Sequence, residues 1–70
     1  MMDDISASVK RQIITQEIEL YKNTRYQFQL RARVAKALNT DIKPIEDELL
    51  KIEQALDVLD AELHSLEPAE

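Results

Sequence analysis

The chain has 70 residues, a formal net charge of -5, and neither glycine nor cysteine. A chain this short forms at most one domain, and it usually needs a disulfide, a metal or another chain to be stable. Without cysteine the chain can form neither disulfides nor thiolate zinc sites, and its single histidine is a poor basis for another metal site. Without glycine, tight hairpins and phosphate-binding loops are disfavoured. Composition therefore favours an all-α protein that is stabilised by association, without a metal or cofactor.

A first helix is predicted over about residues 5–38, with Asp4 or Ser6 as its N-cap. One row of positions follows heptad spacing through this segment and indicates the face that packs inside the fold. From this row we assign to the core Ile14, Ile18, Tyr21 and Phe28. Arg25 lies in the same row, where a charge is costly unless it is paired. Either it is paired and fixes the register, or the row is open at that point and Arg25 is partly covered.

A second apolar set lies beside this row on the first helix. Its members are Val9, Ile13, Leu20, Leu30, Val34 and Leu38. One neighbouring helix needs only a narrow apolar stripe, and the stripe here is broad. The excess predicts that the first helix contacts more than one other helix.

A second helix is predicted over about residues 42–67, after a turn at residues 39–41. Asp41 suits its N-cap, Pro44 is tolerated in its first turn, and Pro68 ends it. Its apolar residues alternate steps of three and four, and the core positions are Ile45, Leu49, Ile52, Leu56, Leu59 and Leu63. The short connection predicts an all-α, antiparallel two-helix hairpin that is coiled-coil-like and dimerises into a four-helix bundle.

Charge is divided between the two predicted helices. Residues 1–20 hold four acids and two bases (-2), residues 21–40 hold five bases and no acid (+5), and residues 41–70 hold ten acids and two bases (-8). In an antiparallel hairpin the basic segment 21–40 faces the acidic segment 41–70, so we expect interhelical ion pairs that affect the orientation of the helices and the choice of partner. The expected pairs are Arg33 with Glu48, Lys36 with Glu46, Arg25 with Asp57 or Asp60, and Lys22 with Asp60.

The basic stretch RYQFQLRARVAK also carries two of the three aromatic residues. Tyrosine and arginine often dominate the binding energy of protein interfaces. The predicted partner-binding residues are Tyr26, Leu30, Arg31, Arg33 and Val34. We therefore expect a non-enzymatic interaction module, an adaptor, inhibitor or assembly subunit, that forms a homodimer and presents the first helix to a protein partner. No apolar run spans a membrane and the N-terminus is acidic, so a cytoplasmic location is expected.

Two alternatives follow from other features. Arg25, Arg31, Arg33 and Lys36 could bind nucleic acid, although the acidic second helix would weaken attraction to phosphate. The segment EQALD, residues 53–57, resembles the Ser-Gln-x-Leu-Asp signature of small helical-hairpin aspartyl-phosphate phosphatases that act on sporulation response regulators. That resemblance implies phosphate release dependent on Gln54 and Asp57, but the signature serine is replaced by Glu53.

Overall fold

The computed structural model describes residues 5–66, which form two α-helices packed against each other. The first, α1, spans Ala7–Leu38, and the second, α2, spans Lys43–Leu66. The pair is antiparallel, because Ile18, early in α1, and Leu63, late in α2, line the same groove. No strand occurs in residues 5–66. The prediction of an all-α, two-helix hairpin is confirmed.

Ser6 caps the start of α1. Its backbone is extended, and its hydroxyl accepts a hydrogen bond from the N–H of Val9 at 3.2 Å. This bond satisfies one of the N–H groups that have no partner in the first turn of a helix. Ser6 therefore fills the role predicted for Asp4 or Ser6, while Asp4 itself lies outside the described residues.

Asn39 ends α1 by adopting the left-handed conformation, with φ 60° and ψ 38°. Its N–H donates to the carbonyl of Lys36 at 3.2 Å, and the N–H of Thr40 donates to the carbonyl of Ala35 at 2.9 Å. These two bonds form a Schellman motif, which normally uses glycine at the left-handed position. Asparagine tolerates this conformation better than most residues do, so the chain turns sharply without any glycine.

The connection to α2 contains its own side-chain bond. A carboxylate oxygen of Asp41 accepts from the N–H of Lys43 at 3.0 Å, and the N–H of Glu46 donates to the carbonyl of Ile42 at 2.9 Å. Pro44 occupies the first turn of α2, where its missing N–H removes no helical hydrogen bond. Pro68, predicted to end this helix, lies outside the described residues.

The interior of the hairpin is thin. Among residues 5–66 only Ala35, 7% exposed, and Ile52, 5% exposed, are buried. The other apolar residues between the helices are half-buried, because each helix covers one stripe of the other and no third element covers their edges. The hairpin therefore has a continuous line of interhelical contact without a closed core.

The interhelical ion pairing differs from the prediction. Arg25 pairs with Glu53, with 3.2 Å between the guanidinium nitrogen and the carboxylate oxygen, instead of with Asp57 or Asp60. Glutamate has one more methylene than aspartate, which extends its carboxylate across the helix pair. Within residues 5–66 the structure records no ion pair for Arg33 or Lys36, and Glu48 pairs with Lys51 of its own helix. The expected ion pairs of Arg33 and Lys36 are therefore wrong, whereas Lys22 lines the same groove as Asp60, as predicted, without an ion pair between them.

Candidate protein-binding surface on the first helix

Most large apolar side chains that stay exposed belong to α1. Those on α1 are Val9, Ile13, Leu20, Tyr26, Leu30, Val34 and Leu38, and those on α2 are Leu50 and Val58. An exposed apolar set of this extent on one element is typical of a surface that binds another protein. Ile13, Leu20 and Leu38 were not among the predicted partner-binding residues, although the second apolar set of the sequence contains them.

Four of the five predicted partner-binding residues share one side of α1. Tyr26, Leu30 and Arg33 follow one another at steps of four and three residues, and Val34 lies one turn beyond Leu30. All four are exposed, with Tyr26 at 54% and Val34 at 56%. The result is a surface with an aromatic ring, two aliphatic side chains and one guanidinium group.

Arg31, the fifth predicted residue, lies elsewhere on the helix. Two residues of an α-helix are separated by about 160° around the axis when they are two positions apart, so Arg31 and Arg33 project from different flanks. The guanidinium carbon of Arg31 lies 4.9 Å from the centroid of the Phe28 ring, a cation–π contact within the same helix. The structure therefore does not bring Arg31 together with Tyr26 and Arg33.

The predicted core residues line the face between the helices. Ile52 is buried, and the others are half-buried: Ile14, Ile18, Tyr21 and Phe28 on α1, and Ile45, Leu49, Leu56, Leu59 and Leu63 on α2. Ala35, which continues the α1 row, is the second buried residue. These side chains hold the two helices together and leave the opposite side of α1 free for other contacts.

Arg25 combines both alternatives considered for it. Its side chain is 32% exposed, and it also forms the ion pair with Glu53, whose side chain is 53% exposed. Beside this pair, an open groove between the helices is lined by Lys22, Asp57 and Asp60. Because the groove presents both signs of charge, it offers no single-sign site for a phosphate or a metal ion.

The remaining polar side chains of α2 do not converge on a shared site within that helix. His64 contacts Asp60 of its own helix, with 3.0 Å from its Nδ1 to the carbonyl oxygen and 3.6 Å to a carboxylate oxygen. Within residues 5–66, no three histidine or acidic side chains come close enough to hold a metal ion. Gln54 and Asp57, the residues of the phosphatase-like segment, are both exposed on α2, and Asp57 lines the groove.

In the part of the chain that the structure describes, neither helix is both long and apolar enough to cross a membrane. No protein-family model, curated protein or solved structure matches this chain.

Proposed function

We propose that this chain is a non-enzymatic helical interaction module that self-associates as a dimer with four helices and presents α1 to a protein partner. It would act as an adaptor, an inhibitor or an assembly subunit. The observation that carries this proposal is the uncovered apolar surface of α1, which extends from Val9 to Leu38.

The thin interior of the hairpin supports the same proposal. Ala35 and Ile52, the two buried residues of the described segment 5–66, form a small core. A large apolar side chain contributes about 1.5–3 kcal/mol on full burial, so covering those that α1 leaves about half exposed would add roughly half of that for each. Without cysteine, another chain is the available source of that burial.

Sedimentation equilibrium over a hundredfold range of protein concentration tests the self-association. We expect a dimer at high concentration and a loss of helical circular dichroism when the dimer dissociates on dilution, because folding and association are coupled. A chain that stays monomeric and fully helical at every concentration would contradict the proposal.

A pull-down from the native host tests the partner surface. The double variant Tyr26→Ala/Arg33→Ala removes the aromatic and charged groups of that surface, and both side chains are exposed. The matched control is Gln54→Ala/Val58→Ala, which removes two exposed side chains from α2. We expect the first variant to lose captured proteins and the control to keep them, with equal helicity. Equal capture by both would show that α1 is not the binding surface.

A further inference from the structure

A second heptad row runs along α1, on the side away from α2. Its spacing alternates steps of three and four residues from Ile13 to Ala37. The apolar members are Ile13, Leu20, Leu30, Val34 and Ala37, and three amides complete the row: Gln16, Asn23 and Gln27. All eight positions are exposed in the hairpin, and none is charged. We call this row the outer seam. Such spacing is what one helix presents to another in a coiled coil.

Charged residues flank the outer seam in a regular pattern. Arg31 follows Glu17 by two heptads, and Arg33 follows Glu19 by two heptads. Residues two heptads apart lie on the same side of a seam, so each flank has an acid near its N-terminal end and an arginine near its C-terminal end. Within residues 5–66 the structure records no ion pair for these four side chains. When a second copy of α1 lies antiparallel to the first, the acids of one copy therefore lie opposite the arginines of the other.

We propose that the outer seam binds the outer seam of a second copy of this chain, with the two α1 helices antiparallel and Leu20 of one copy beside Leu30 of the other. This inference rests on the proposed self-association and identifies its surface, and it assigns Leu30, Arg33 and Val34 of the predicted partner-binding residues to the contact with the second copy. The same arrangement places Asn23 beside Gln27 of the second copy, so that the amides meet near the two-fold axis. The contact from Ile13 to Ala37 is about 36 Å long, at ~1.5 Å per helical residue.

Charge complementarity favours this orientation. It places Glu17 beside Arg31 of the second copy and Glu19 beside Arg33, and two-fold symmetry repeats both pairs. A parallel arrangement would instead place the two segments of residues 21–40, each with five bases and no acid, side by side. In the antiparallel arrangement residues 30–36, which hold Arg31, Arg33 and Lys36, lie against residues 14–20 of the other copy, which hold Glu17 and Glu19 and no base.

The position of the amides favours this register. Sliding one helix by a heptad in one direction places Leu20 beside Asn23 of the second copy and moves Arg33 about 10 Å from Glu19. Sliding it in the other direction places Asn23 beside Val34. Both shifts press an amide against an apolar side chain close to the centre of the contact, where its lost hydration is costly. In the proposed register the amide that meets an apolar residue is Gln16, near the end of the contact, where it reaches water.

Cysteine cross-linking tests the orientation and the register together, because the chain has no cysteine of its own. The variants Leu20→Cys and Leu30→Cys are mixed in a glutathione redox buffer, and disulfide-linked dimers are identified by peptide mass spectrometry. We expect the mixed disulfide between the two variants. A disulfide needs Cα atoms within about 7 Å, so a shift of one heptad, about 10 Å, abolishes it. Leu20→Cys mixed with Val58→Cys, an exposed position on α2, is the control and should stay unlinked.

Sedimentation of the full chain separates the possible outcomes. We expect Leu20→Glu to raise the dimer dissociation constant about 100-fold or more, since it places two charges in the seam. We expect the matched Val58→Glu variant to change it less than about threefold, because an exposed substitution away from the contact has little effect. Homodisulfides of Leu20→Cys, mixed disulfides between Ile13→Cys and Leu30→Cys, or a dimer sensitive only to Val58→Glu would overturn this inference and leave self-association standing. A monomer at every concentration would overturn both.

Discussion

Replacing Arg25 with leucine should stabilise the hairpin. Arg25 interrupts the apolar row of α1 that faces α2, and its guanidinium group pairs with Glu53 at 3.2 Å. Both side chains retain contact with water, so the pair contributes little to the free energy of unfolding. A leucine would extend the apolar contact between Ile18 and Phe28 through the middle of the helix pair. The variant therefore exchanges a weak ion pair for apolar burial.

The size of the effect follows from the exposure of the two side chains. With 32% of Arg25 and 53% of Glu53 exposed, their ion pair is worth ~0–1 kcal/mol. A leucine that is about two thirds buried contributes about 1–2 kcal/mol, part of which the methylene groups of arginine already supply. The expected net gain is about 0.5 kcal/mol, which raises the Tm of a domain of this size by about 2–4 °C.

Thermal unfolding followed by circular dichroism measures this gain. All variants are compared at one protein concentration, because association raises the apparent stability. Glu53→Gln is the control, since it removes the charge of the partner but keeps Arg25, and it should cost no more than about 1 kcal/mol. If Arg25→Leu lowered the Tm, the ion pair would be a main source of stability and the reasoning from exposure would be refuted.

Three further predictions concern the helix ends and the charge. Asn39→Ala should lower the free energy of unfolding, measured by urea denaturation, by about 1 kcal/mol, because a positive φ is unfavourable for alanine. Asn39→Gly should leave it unchanged, and equal losses for the two variants would contradict the Schellman assignment. Ser6→Ala should lower the free energy of unfolding by about 1 kcal/mol and speed amide hydrogen exchange in the first turn of α1, and unchanged exchange would count against the cap. A shift assay at low salt should detect no complex with DNA or RNA, because α2 is acidic; a complex with steep salt dependence would favour the nucleic-acid alternative.

The two helices could be predicted because their apolar spacing is regular. From Ile45 to Leu63 the apolar residues follow unbroken steps of three and four, and a period near 3.6 residues is that of an α-helix. The pattern also placed the end of α1 at about Leu38, although glycine, the usual marker of a helix end, does not occur in the chain. Asn39 adopts the left-handed conformation that glycine usually has there, and an asparagine directly after a helical pattern is the signal that identifies this helix end.

The details of the candidate surface were harder to predict. Exposure of Tyr26 and Val34 follows from their position outside the inner apolar row. Arg31 and Arg33 are only two positions apart, but an α-helix turns about 100° per residue, so their side chains project from different flanks of α1. The choice of Glu53 as the partner of Arg25 depends on side-chain length and rotamer, which residue spacing does not encode.

The distribution of charge connects the hairpin with the proposed dimer. Residues 21–40 carry five bases, and the acids of α2 would be enough to pair all of them within one chain. Across the hairpin the structure pairs only one of these bases, Arg25, within residues 5–66. Arg31 and Arg33 flank the outer seam instead, two heptads after Glu17 and Glu19. We infer that the basic segment serves two contacts: Arg25 orients α2 in the hairpin, and the two later arginines orient a second copy of α1.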